Sequence, residues 1–203
     1  KAGIFKDISL QETGPNCVGI LEARKLPPED VCVDLAAKCG IVPAGLTLLF
    51  ARTATPAGTV QIVSRSLETA LHKLHVLGFN LELIESGFGV APLPPVADDD
   101  LQAIGWTNDA ILYGGWVGLN VKSDPSTIEE VGPRVPSNAS PDHGRPFAVV
   151  FARYNGDFYK IDPLLFSPAM ISFSNFGEPG ERIYGELAPQ VLGESFGAER
   201  YKQ

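Results

Sequence analysis

The sequence predicts an α/β fold of mixed α+β character: a layered β-α-β-α-β unit followed by a mixed-sheet, hairpin-containing C-terminal part. Three observations carry that prediction. Short apolar runs alternate with longer amphipathic segments as far as Ser86, the rhythm of layered α/β units. Beyond Phe88 the spacing changes, and prolines and glycines divide the chain into shorter pieces,. Near the end, Gly177-Glu178-Pro179-Gly180 separates two strand-like runs, as in a hairpin.

Taken in order, Cys17–Glu22 is a short apolar run and reads as a strand. Pro27-Pro28-Glu29-Asp30 opens a helix that continues through Lys38, with acids where the helix dipole is positive and Gly40 as the stop,. Leu46–Ala51 is a second apolar strand, and Pro56–Leu77 is the longest helix, ended by Gly78. Leu81–Ser86 alternates and reads as a third strand,. Phe88–Ala97, with Pro92, Pro94 and Pro95, reads as a defined loop, and positions 88–97 are the one place where a single domain over 1–203 would subdivide,. Asp98-Asp99-Asp100 starts a short helix,. Ala110–Tyr113 and Trp116–Val121 read as strands parted by Gly114-Gly115, and Asp124–Ala139 as a polar, proline-bearing connection. Arg145–Arg153 reads as a helix, Ala169–Phe176 with Arg182–Gly185 as a hairpin, and Pro189–Ser195 as a last helix.

Composition excludes several classes. The 203 residues are 44% hydrophobic and 20% charged, a soluble globular profile. No apolar run is long enough to cross a bilayer, and Lys1–Lys6 lack the pattern of a signal peptide,; a cytoplasmic location with no membrane partner is expected. The chain does not begin with Met, which reads as processing or as a fragment. A net charge of −8 argues against a nucleic-acid partner, which needs a basic face,. Of the three cysteines, Cys32 and Cys39 lie seven apart on the first helix. Their Cα atoms are thus roughly 10 Å apart, beyond the disulfide limit of about 7 Å. No Cys-x-x-Cys pair exists, so buried free thiols in a reducing compartment are expected,.

Three polar stretches stand apart from ordinary core sequence. On the long helix, Val60, Val63, Leu67, Ala70, Leu71 and Leu74 form the apolar stripe, while Arg65, Glu68 and His72 share another,. Spacing alone makes Arg65–Glu68 a solvated ion pair. Thr107, Asn108 and Asp109 lead into Tyr113-Gly114-Gly115; by themselves they read as a turn closed by side-chain hydrogen bonds. Asp157-Phe158-Tyr159-Lys160-Ile161-Asp162-Pro163 joins charge and aromatics to a proline-fixed loop, and reads alone as a Lys160–Asp162 surface arrangement with Phe158 buried. His72, His75 and His143 read as helix-surface histidines, and no metal site is expected,.

These three stretches, together with Val90-Ala91-Pro92-Leu93-Pro94-Pro95-Val96, closely resemble the methenyltetrahydromethanopterin cyclohydrolase family of one-carbon metabolism, found in methanogenesis and methylotrophy. The match runs from about Cys17 to Phe196 and corresponds to the family's C-terminal portion. The resemblance implies a hydrolase that opens the cyclic amidinium of a tetrahydromethanopterin-type substrate to the formyl compound, with no cofactor. It implies Arg65 and Glu68 as the catalytic pair, and Thr107, Asn108, Asp109, Tyr113, Asp157, Tyr159 and Lys160 as substrate-binding residues lining one cleft. The family pattern is longer at its N-terminus, and that portion supplies one side of the cleft. A homo-oligomer or a complementing N-terminal segment is therefore the expected partner, and an exposed apolar patch is expected. Trp106 and Trp116 stand where the family pattern carries arginines. The alternative reading is a non-catalytic homologue or one half of a split enzyme, acting as a binding or assembly module.

Overall fold

In the computed structural model, which describes residues 12–197, the chain opens with β1 (Cys17–Glu22), α1 (Glu29–Cys39) and β2 (Leu46–Ala51). The two strands pair in parallel, from Cys17 opposite Leu46 to Glu22 opposite Ala51, with α1 as the crossover,. Glu29 and Asp30 occupy the first turn of α1, and Gly40 closes it at φ 72°, a conformation glycine adopts without steric cost. Ala36 is the one buried residue of α1, and Val18, Ile20 and Leu49 are exposed, so this unit has little core of its own. It is anchored at the carboxyl ends of its strands. Arg24 and Arg52 pair with Asp100 at 2.5 and 3.3 Å, and the Ala54 N–H donates to the same carboxylate. The Ala54 N–H and these guanidinium groups hold the Asp100 carboxyl below its ordinary range.

The single helix expected over Pro56–Leu77 is two, α2 (Pro56–Val63) and α3 (Ser66–Val76). At the joint, Arg65 leaves helical geometry (φ −91°, ψ 17°), and its N–H donates to Ile62 O. The break reconciles two packing demands: α2 leans on the helix α4 described below, while α3 lies across β3 (Ile84–Val90) and β4 (Trp116–Val121). An apolar stripe is continuous across such a joint, because Ser64 and Arg65 suit a helix surface as well as a helix end.

The third strand begins later than expected. The Asn80 side chain accepts from Glu82 N–H and folds Leu81–Leu83 into a 3-10 turn. β3 then continues through Phe88-Gly89-Val90, residues assigned above to a loop, because each pairs across to β4. β3 lies not beside β2 but at the edge of a separate sheet ordered β3-β4-β5-β6. There β4 runs parallel to β5 (Met170–Asn175), and β6 (Arg182–Gly185) closes the expected hairpin.

The largest departure is α4 (Asp100–Gly114). Ala110–Tyr113 is its last turn and not a strand. A four-residue apolar run cannot tell a buried helix from a buried strand, and here Ala110 to Tyr113 are all buried. Asp99 caps the helix, accepting from Gln102 N–H at 2.9 Å,. Gly114 ends it where an added Cβ would stand 2.6 Å from the Pro92 ring. The polar connection also holds a helix, α5 (Pro125–Val131), capped by Asp124. The rest follows expectation, with α6 at Phe147–Arg153 and α7 at Pro189–Phe196.

One core lies between α3, α5 and one face of the four-stranded sheet, with Ala70, Leu74, Val117, Leu119, Ile171 and Phe173 at its centre. A second lies between α4, α6 and residues 158–166, around Tyr113, Phe147 and Leu165. The opposite sheet face leaves Phe88 and Val90 exposed at one edge, on β3, and Ile183 exposed at the other, on β6. Among the described residues no helix is long and apolar enough to cross a membrane.

Candidate active site

Arg65 stands at the N-cap of α3 and Glu68 in its first turn. The position of that turn is set by a glycine track in β3. A Cβ at Gly89 would stand 2.6 Å from Ser66 Oγ and 2.8 Å from Leu67 N; one at Gly87 would meet Leu119 at 2.6 Å. Only a strand without side chains there lets the start of α3 lie this close. Ser66, Ala70, Lys73 and Leu74 turn inward and are buried, which leaves Glu68 on the solvent side. Arg65 Nε lies 3.9 Å from Glu68 Oε2, with the side chains 52% and 66% exposed. The pair is open on the described surface and accessible to a ligand, where a position inside a cleft is what the resemblance implies. At this exposure the ion pair itself contributes little to stability. His72 is exposed on the same helix. His143 is not on a helix: its ring packs 4.9 Å from that of Tyr113, and burial lowers its pKa.

Thr107, Asn108 and Asp109 are mid-helix residues of α4 and do not form a turn. The Thr107 hydroxyl donates to Ala103 O at 2.7 Å, and Asn108 Nδ2 donates to Ile104 O at 2.8 Å. Asp109, 1% exposed, accepts from Phe147 N–H at 2.8 Å and from Ser195 Oγ at 2.5 Å. One carboxylate thus ties α4 to the start of α6 and the end of α7. Burial pushes its pKa up to about 7, and Glu194 nearby adds to the rise, while its two hydrogen bonds oppose it. Tyr113 is fully buried. Its hydroxyl donates to Arg145 O at 2.5 Å and accepts from the Gly144 and Arg145 N–H groups, and burial raises its pKa to about 12. The hydrogen bonds of Thr107, Asp109 and Tyr113 are spent inside the protein, so these three side chains serve its internal packing.

The segment around residue 160 divides. Asp157 caps a 3-10 turn by accepting from Tyr159 N–H, and Lys160 pairs with it at 3.4 Å where a pairing with Asp162 was expected. Tyr159 is 97% exposed, and Phe158, expected buried, is 42% exposed while stacking on Phe166 at 4.7 Å. Asp162 turns inward, accepting from Ser140 Oγ at 2.6 Å and Leu164 N–H at 3.0 Å. Lys73, which the sequence did not single out, links this segment to α3. It is 1% exposed and donates to Leu164 O. Burial lowers its pKa to about 8, against the pull of Asp162.

The expected residues therefore fall into two groups. Arg65, Glu68, Asp157, Tyr159 and Lys160 present polar or aromatic groups to solvent. Thr107, Asp109 and Tyr113 are internal, and half-buried Asn108 spends its amide on its own helix. Reading the sequence also missed Ser195, Lys73 and Gly89. The alternation Gly87-Phe88-Gly89 was the available signal for the last, since glycines on one strand face mark a close approach.

A mixed four-stranded sheet backed by a broken helix, with an Arg-x-x-Glu pair at the break, defines a class: an α/β protein offering a carboxylate and a guanidinium together at a helix start. The chain matches the cyclohydrolase (MCH) family over residues 1–196 and belongs to it. It is similar to methenyltetrahydromethanopterin cyclohydrolase of Xanthobacter autotrophicus, 43% identical over 194 residues, which are 96% of this chain and 58% of that protein. The enzyme of the same name from Rhodopirellula baltica is 46% identical over 182 residues, 89% of this chain and 55% of the relative. That of Methylosinus trichosporium is 41% identical over 198 residues, covering 97% and 76%. The chain thus spans a little over half the length of the first two.

Proposed function

We propose that this chain carries the reacting pair of a methenyltetrahydromethanopterin cyclohydrolase of one-carbon metabolism in the cytoplasm, with the pterin as substrate and no cofactor. The observation that supports this is the Arg65–Glu68 pair: two accessible, opposite charges held 3.9 Å apart at a fixed helix start, in a chain of the cyclohydrolase family. In the substrate one carbon bridges two nitrogens and shares their positive charge. The Glu68 carboxylate attracts that cation and takes a proton from the water that attacks the bridging carbon. It then gives this proton to the departing ring nitrogen as the carbon–nitrogen bond breaks. The second proton of the water leaves to solvent as the formyl carbonyl forms, which balances the loss of the cation's charge. Arg65 orients the carboxylate by charge and hydrogen bonding. Tyr159 and Lys160, both exposed, contact the substrate's ring and its polar tail. Asn108 and Asp157 support that wall, and Thr107, Asp109 and Tyr113 hold its frame.

An open pair cannot exclude water by itself, and exclusion strengthens its electrostatics. The exposed Phe88, Val90 and Ile183 on one sheet, and Val18, Ile20 and Leu49 on the other, favour association. A second copy or an N-terminal segment of the kind the longer relatives carry completes the cleft. The test follows loss of methenyltetrahydromethanopterin absorbance with the purified chain, alone and with the N-terminal portion of a relative. Complementation should raise turnover, and Glu68→Gln should lower it by a factor of about 100 or more. Turnover indifferent to Glu68→Gln removes Glu68 from the chemistry. A folded, complemented preparation with no turnover makes the chain a non-catalytic module.

A further inference from the structure

Two thiols distant in sequence meet where β1 begins and α1 ends. Cys17 Sγ lies 3.7 Å from Cys39 Sγ and donates to it across 22 residues of chain. Both backbones are fixed. Cys17 pairs with Leu46 in the parallel ladder. The chain before it lies against Gly45, where an added Cβ would stand 2.3 Å from Pro15 O. Cys39 is the last residue of α1, and the turn after it is locked by Gly40 N–H to Ala37 O and Ile41 N–H to Ala36 O. Cys39 is exposed and Cys17 half-buried, where buried thiols were expected, because the unit that carries them has little core; a small solute therefore reaches the pair. The third thiol, Cys32, faces Pro27 O instead.

We propose that Cys17 and Cys39 form a peroxide-oxidisable dithiol that closes reversibly to a disulfide. The exposed Cys39 thiolate attacks the peroxide oxygen–oxygen bond, giving a sulfenic acid and releasing hydroxide. Cys17 sulfur then attacks the Cys39 sulfur; the sulfur–sulfur bond forms and the sulfenic oxygen leaves as water with the Cys17 proton. Two thiols lose two electrons and one hydrogen peroxide becomes two waters. Reaching a bonded sulfur–sulfur distance requires the two atoms to close by about 1.7 Å, within the reach of side-chain rotation. The bond fastens α1 to β1 in the unit that has the least core of its own, since Ala36 is the only buried residue of that helix.

The experiment treats the reduced full chain with one equivalent of hydrogen peroxide, then labels remaining thiols with N-ethylmaleimide and maps the peptides. Labels should fall from three to one, at Cys32, with a mass loss of about 2 Da and a peptide joining Cys17 to Cys39. Dithiothreitol should restore all three labels, and amide exchange in α1 should be slower in the oxidised form. Cys32→Ser should leave the mass loss unchanged, and Cys17→Ser should abolish it. Oxidation of Cys39 to the sulfinic acid while Cys17 still takes the label would overturn the proposal. So would a bridge to Cys32, or cross-linking between chains only.

Discussion

Replacing Asp109 by Asn tests the account of the buried carboxylate that joins three helices. Below the ordinary value of 3.8, both folded and unfolded chains hold the proton. Between 3.8 and about 7 the folded chain keeps a proton that the unfolded chain has lost, so stability falls as pH rises. Above about 7 the loss is complete. The slope reaches about 1.4 kcal/mol per pH unit, and the whole interval is worth about 4 kcal/mol. Asparagine has nearly the same shape. Its amide oxygen accepts from Phe147 N–H and its NH2 group donates to the Ser195 hydroxyl, replacing both hydrogen bonds seen for Asp109 with no charge to bury. Asp109→Asn should therefore match the wild type at acid pH and exceed it by a few kcal/mol at mildly alkaline pH. Urea unfolding at closely spaced pH values between about 4 and 8, followed by far-UV circular dichroism, reads the difference directly. A difference that stays flat with pH, or a variant weaker than wild type at the alkaline end, would refute the reasoning and make Asp109 an ionised, charge-assisted anchor.

Gly89→Ala should cost about 1–3 kcal/mol, because its Cβ would stand 2.6 Å from Ser66 Oγ and the start of α3 would have to move,; chemical denaturation measures the loss. The same variant should lower turnover of the complemented enzyme, and unchanged turnover would show that the Arg65–Glu68 pair tolerates the shift. Tyr113→Phe removes the acceptor for Gly144 and Arg145 N–H and the donor to Arg145 O, so a loss of about 2 kcal/mol or more is expected. A melting temperature within a degree of wild type would mean that water replaces the hydroxyl.

Elements whose signals are local could be read from sequence. The acidic first turn and terminal glycine fixed α1, and the Gly-Glu-Pro-Gly turn fixed the β5–β6 hairpin. What failed to show was decided by distant partners. Ala110–Tyr113 is helical because α6, α7 and residues 158–166 surround it, and a strand would present the same letters. The partner of β3 is likewise chosen by β4, far along the chain. In the candidate site, Arg65 and Glu68 are singled out by family resemblance alone, since an i, i+3 ion pair is common on any helix. Density of polar residues misled at Thr107–Tyr113, where a buried helix between two cores needs internal hydrogen bonds for its polar groups. The Cys17–Cys39 approach was invisible because it depends on how α1 packs back on β1, while spacing addresses only cysteines within one element.

The joint at Ser64–Arg65 has a consequence for how the Arg65–Glu68 pair keeps its heading. In one uninterrupted helix, the azimuth of Glu68 would be inherited residue by residue from Pro56, about 100° at each step. The break cancels that inheritance, since Arg65 adopts its own dihedrals and a new helix is counted from Ser66. The reference direction is then the β3 backbone at Gly87 and Gly89, against which the new helix seats. Small angular errors in α2, which answers to α4, are absorbed at the joint. The compass bearing of Arg65 and Glu68 is taken from the sheet, and α2 is left to follow its own neighbours.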